Sequence, residues 1–295
     1  MKKSGIGPVI IMFILIMANA CVSKKEFPVA KYYEYDHDLP LNESVELLDS
    51  SKYHLYAVSF TSVHDKTVTS LLTIPNNVVR SVPVVILLHG VGDRKTVDYI
   101  EAGHKYFAEA GYAVFRIDID NHGDRKKYAY DFDLTDGYRY WTRDIITQTV
   151  FDLRRSIDFL ETRADIDSER IGYYGISLGG IIGTIFCGVD PRVKVPVIAL
   201  AGGNLSLMFG VDALTEETQE FFSIIDPINY VELIAPRPLL MINAENDEVI
   251  DPLTSKMMYQ AADDPKEIIW YPSRHRDLPI DKAYPDGINW YRKHL

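Results

Sequence analysis

Residues 170–189 read Arg-Ile-Gly-Tyr-Tyr-Gly-Ile-Ser-Leu-Gly-Gly-Ile-Ile-Gly-Thr-Ile-Phe-Cys-Gly-Val. The first seven are a short β-branched and aromatic run suited to a buried strand, and the run from Leu178 to Val189 is small and apolar, suited to a buried helix. Between them Gly175-Ile176-Ser177-Leu178-Gly179 fits the G-x-S-x-G pattern of a sharp strand-to-helix turn. Glycines at its ends remove the Cβ atoms that would collide in so tight a reversal, leaving the Ser177 oxygen above the sheet edge. A serine in an ordinary glycine-rich loop is the competing reading of five residues, so their surroundings decide.

Those surroundings are strands alternating with helices. Val84-Val85-Ile86-Leu87-Leu88 is a continuous apolar run that only a strand buried on both faces tolerates. Similar runs recur at Ala113 to Ile119, Val195 to Leu200, Pro238 to Ile242 and Glu267 to Tyr271. From Trp141 to Leu160, the apolar residues Ile146, Val150, Leu153, Ile157 and Leu160 form one helical stripe. Such alternation predicts a parallel, doubly wound sheet with helices on both faces. Upstream, Val45 to Leu48, Tyr53 to Phe60 and Val68 to Ile74 read as an antiparallel opening meander. Gly203 to Ile225 breaks the rhythm with Leu205, Leu207, Met208, Phe209, Phe221 and Phe222, which suits either a small cap over a pocket or a longer helical connection.

The chain has 295 residues, 47% of them hydrophobic, enough for one α/β domain over residues 45–295. A net charge of −11 argues against a broad electrostatic grip on nucleic acid. Lys2 and Lys3 precede an apolar stretch from Pro8 to Ala18, and Ala18-Asn19-Ala20 leads into Cys21, so residues 1–20 read as an export signal too short for a comfortable membrane span. Cleavage after Ala20 gives a secreted protein. Lipidation of Cys21, as in a bacterial lipobox, would instead anchor the chain at the membrane surface, and we expect the lipid-anchored form. Residues 21–44 then read as a tether or extended arm. Cys187, left without a partner, is expected as a small buried hydrophobe.

A serine hydroxyl needs a histidine to take its proton and an acid to orient that histidine. Two late strands supply both at the sheet edge where Ser177 sits: Asp247 follows Pro238 to Ala244, and His275 follows Glu267 to Tyr271. Glu245 and Asp251 are nearby alternatives to Asp247. The oxyanion formed in acyl transfer needs two fixed donors. One is the backbone N–H of Leu178; the other is that of Val91 in His89-Gly90-Val91-Gly92, with His89 bracing the loop. Neither a metal-binding nor a nucleotide-binding pattern is present in the sequence, no cofactor is expected, and Asp36-His37-Asp38 reads as a solvated turn.

With His89-Gly90, the serine motif, Asp247 and His275 in this order, the chain resembles the α/β-hydrolase family over nearly all of residues 45–295. Asp118 with Asn121-His122-Gly123-Asp124-Arg125 is similar to a loop of the dienelactone-hydrolase-like and acetyl-xylan-esterase-like branch, although dienelactone hydrolases proper have a cysteine where this chain has Ser177. The resemblance implies a serine esterase without a metal, acting on a small-molecule or acylated-carbohydrate ester through an acyl-enzyme. A prolyl-oligopeptidase-like peptidase is the rival enzyme, although only about 45 residues precede the first core strand where such peptidases commonly carry a large extra domain. A binding protein on a retired hydrolase scaffold is the rival of another class.

Overall fold

The computed structural model describes residues 29–76, 80–129, 132–135 and 137–295. The expected export signal and Cys21, the expected lipidation site, lie outside the described residues. Among the described residues no helix is long and apolar enough to cross a membrane.

The chain opens with three strands, β1 (Ser44–Asp49), β2 (Tyr53–Thr61) and β3 (Thr67–Pro75), joined as the expected antiparallel meander. There follow β4 (Val82–Leu88), α1 (Asp98–Glu109), β5 (Ala113–Ile117), α2 (Arg139–Glu161), β6 (Ile166–Ile176), α3 (Leu178–Val189) and β7 (Val193–Ala199). After a helical excursion containing α4 (Glu216–Phe222), the chain closes with β8 (Leu239–Ala244), α5 (Pro252–Ala261), β9 (Lys266–Tyr271) and α6 (Ile280–His294). The nine strands form one sheet in the order β1-β2-β3-β5-β4-β6-β7-β8-β9, parallel from β5 to β9 and joined antiparallel to the meander through β3. This is the α/β-hydrolase fold.

Burial on both faces explains the apolar runs. Along β4, Val84, Ile86 and Leu88 pack with α2 and α3, whereas Val85 and Leu87 pack on the other face with Ile100 and Phe107 of α1 and Tyr284 and Ile288 of α6. The α2 stripe of Ile146, Val150, Leu153, Ile157 and Leu160 is fully buried, as its helical spacing requires. Cys187 is a free thiol buried in α3, and that burial pushes its pKa up.

The arm differs from the expectation in being docked. A 3-10 turn at Val29–Tyr33 buries the Tyr33 ring against Phe151 and Tyr230, and its hydroxyl donates to the carbonyl of Ile224. Arg154 donates to the Tyr33 carbonyl, and Tyr35 donates to Asp158 at 2.8 Å. The excursion after β7 is a helical connection from Leu205 to Phe222, held at its root by the buried Asp226, whose carboxylate accepts the N–H groups of Asn204 and Leu205. Its Phe221 and Phe222 pack inward, while Val211 and Leu214 stand in solvent, 88% and 87% exposed.

Candidate active site

The chain leaves β4 toward β5 and leaves β6 toward β7, on opposite sides, so the carboxyl ends of β4 and β6 flank the point where an open α/β sheet forms a crevice. His89-Gly90-Val91 stands at one lip and Ser177 at the other. A Cβ added to Gly90 would lie 3.3 Å from the Ser177 Cβ, so the two backbones nearly touch.

Ser177 has φ 56° and ψ −118°, a left-handed conformation rarely adopted outside glycine. It is enforced from both sides. A Cβ on Gly175 would fall 2.3 Å from the Gly179 carbonyl oxygen, and one on Gly179 would fall 2.6 Å from the carbonyl oxygens of Leu88 and His89. The Ser177 N–H donates to the Ala199 carbonyl at 2.9 Å, locking the turn to β7.

Asp247, in the turn after β8, has a side chain only 4% exposed. Its Oδ1 accepts the N–H groups of Val249 and Ile250, both at 2.8 Å, and its Oδ2 faces His275 Nδ1 at 2.7 Å. His275 Nε2 lies 3.0 Å from Ser177 Oγ. A carboxylate only accepts, so Nδ1 carries the hydrogen and Nε2 is left to accept the serine proton. The three side chains thus form one hydrogen-bonded line. The alternatives to Asp247 are placed elsewhere: Asp251 caps α5 by accepting the Leu253 N–H, and Glu245 faces Pro252, Lys256 and Trp270.

The line ends in a cavity of about 350 Å³ whose wall includes Gly90, Val91, Tyr99, Leu200, Val249 and Ile280. Residues 203–225, which suited either a cap or a connection, do not contribute to this wall, which is built by residues 90–99, 249 and 275–280 together with the ends of β6 and β7. Leu178 is the first residue of α3, so its N–H has no carbonyl one turn back to bond and remains available beside Ser177. Across the crevice the Gly90 N–H is held by the Tyr99 hydroxyl at 2.8 Å, and that hydroxyl donates to Asp93 at 2.7 Å. Val91, the next residue, borders the cavity.

His89 is a brace. Its Nδ1 donates to the Gly90 carbonyl at 2.7 Å and its Nε2 accepts the Ile119 N–H at 3.1 Å, which fixes the neutral tautomer. Burial pushes its pKa down to about 4. The neighbouring Asp118 is fully buried and ties two loops together: it accepts the backbone N–H groups of Lys95 and Asp124 at 2.8 and 3.1 Å and pairs with Lys95 Nζ at 2.5 Å. Arg125 donates to the Asp118 carbonyl and pairs with the buried Asp152 at 2.7 Å. Sequence reasoning missed Tyr99 and Lys95, whose roles come from loop closure and leave no local pattern.

The acetyl xylan esterase (AXE1) family matches residues 26–201, more than half of the chain. Among curated proteins the chain is similar to the acetyl esterase Axe7A of Xylanibacter ruminicola, 23% identical over 72% of this chain and 53% of that protein. It is also similar to the putative hydrolase YtaP of Bacillus subtilis, 26% identical over 57% of this chain and 61% of that one. The chain therefore spans little more than half the length of these relatives. An acetyl xylan esterase from Paenibacillus sp. R4 superposes with a TM-score of 0.73 at 22% identity, covering 90% of this chain and 92% of that one. Acetyl xylan esterase 1 from Thermoanaerobacterium sp. JW/SL YS485 gives 0.71 at 17% identity, over 90% and 93%. At these identities the structural likeness speaks for the fold, and the match over residues 26–201 for the family: the chain belongs to the acetyl xylan esterase (AXE1) family.

Proposed function

We propose that the protein is a serine carboxylesterase in which Ser177 attacks the ester carbonyl, His275 takes its proton and Asp247 holds the imidazolium. The observation that carries this is the unbroken line from Asp247 through His275 to Ser177, at 2.7 and 3.0 Å, ending at an open cavity. The N–H groups of Val91 and Leu178 receive the oxyanion. His275 then passes its proton to the leaving alcohol, and water, deprotonated by the same histidine, releases the acid from Ser177.

The names of the relatives favour an acetyl ester as substrate, borne on a carbohydrate or another alcohol, and favour ester over peptide cleavage. Replacing Ser177 with Ala should remove turnover of p-nitrophenyl acetate, by roughly four orders of magnitude or more, while melting stays cooperative. Retained turnover would refute the mechanism, and a fluorophosphonate that labels the natural chain but not the variant would separate a working site from a retired one. Export and lipid anchoring through Cys21 are likewise proposed from the leader; processing unaltered by an inhibitor of lipoprotein signal peptidase would refute the anchor.

A further inference from the structure

A second cleft, of about 410 Å³, opens on the same side of the sheet as Ser177 but outside the catalytic cavity. Thr67 and Thr69 at the start of β3, residues of the loop after β5 including Asn121 and Tyr128, and Trp141, Asp144 and Ile145 in the first turns of α2 line it. In the order β3-β5-β4-β6 it lies three strands from Ser177, a lateral separation of roughly 14 Å at ordinary strand spacing.

Its chemistry is specific in three respects. Tyr128 and Trp141, 53% and 49% exposed, meet edge to face with ring centroids 5.3 Å apart, giving a half-exposed aromatic corner. That corner is built in advance: Asn121, at φ 55°, accepts the N–H groups of Lys127 and Tyr128, both at 2.9 Å, and donates to the Tyr128 carbonyl at 3.1 Å. Opposite it Thr69 lines the cleft, its hydroxyl buried and without a hydrogen-bond partner among the described residues. The charges balance, with Lys66, Arg125 and Lys127 set against Asp120, Asp124 and Asp144, so the cleft favours neither an anion nor a cation. An apolar aromatic face beside many donors and acceptors of no net sign suits an uncharged polyhydroxylated ring, whose C–H face stacks on the aromatic side chains while its hydroxyls bond the polar ones.

We propose that this cleft binds unsubstituted sugar units of a carbohydrate chain whose acetylated unit occupies the Ser177 cavity. The site would make the protein a reader of chains several units long. Its link to catalysis rests on the esterase reading above, but its binding does not. The test titrates the full chain carrying Ser177→Ala with a deacetylated xylo-oligosaccharide of six units, by calorimetry. Wild-type-like melting of each further variant controls for folding. Trp141→Ala and Tyr128→Ala are each expected to weaken Kd tenfold or more, Trp141→Phe to keep most of the affinity, and Leu214→Ala, outside the cleft, to leave it as it was. Kd values unmoved by both aromatic changes, or no binding of the oligosaccharide at all, would overturn the proposal. If the natural chain fails to hydrolyse p-nitrophenyl acetate while the oligosaccharide still binds through Trp141, the esterase reading falls and the sugar site stands.

Discussion

Ser177 is held in a conformation that costs energy, and the cost is measurable at that residue. Its φ of 56° is disfavoured for any side chain with a Cβ but not for glycine. Ser177→Gly should therefore be more stable than Ser177→Ala, by about 1 kcal/mol in denaturant unfolding, although both lack the proposed nucleophile. Equal stabilities would mean the turn is unstrained. Asp247 offers a second test. Asparagine keeps the bonds its oxygen accepts from Val249 and Ile250, but turning its amide toward His275 Nδ1 would favour the wrong tautomer. Asp247→Asn is expected to lower kcat for p-nitrophenyl acetate by roughly three to four orders of magnitude with little change in melting. Legibility at this scale follows from local pattern. Ser177, Asp247 and His275 could be placed because each follows a recognisable strand, and the structure brings the three within hydrogen-bond reach. Tyr99 could not, because it meets Gly90 only through closure of the loop between β4 and α1.

Among the elements, α3 meets the end of β4 backbone to backbone. Gly179 allows the helix to start directly against the carbonyls of Leu88 and His89, where a methyl group would have 2.6 Å of room. Those contacts are backbone and cannot yield cheaply, so Gly179→Ala should cost about 2 to 4 kcal/mol and lower the melting temperature accordingly. A change within half a kcal/mol would place the helix farther from β4 than described. The parallel strands were readable because burial on both faces leaves an unbroken apolar run, and α2 because its core stripe keeps helical spacing. The docked arm was not. Tyr33 makes its bond to Ile224, 191 residues away, and nothing near Tyr33 in the chain announces that partner. The short 3-10 turns of the excursion were equally silent, since their apolar residues divide between core and solvent without a period.

For the whole molecule, His89 couples stability to pH. Folding lowers its pKa from the ordinary 6.5 to about 4, so between those values the unfolded chain binds a proton that the folded one refuses. Its contribution is complete above pH 6.5 and is lost as pH falls toward 4, a loss of roughly 3 kcal/mol from this group. Denaturant unfolding of the natural chain should weaken across that window, and a His89→Asn variant should show a correspondingly flatter profile there. Identical profiles would mean that His89 titrates normally. The same region has a mechanical aspect. Because the Asp118 carboxylate grips the loop carrying Lys95 and the loop carrying Asp124 at once, and Lys95 also pairs with Asp124, the segment bearing Val91 and the segment bearing Tyr128 are riveted together. Neither can be pulled without loading the other, so tension on a long ligand beside Tyr128 would reach the proposed oxyanion donor at Val91 as a shift in its aim.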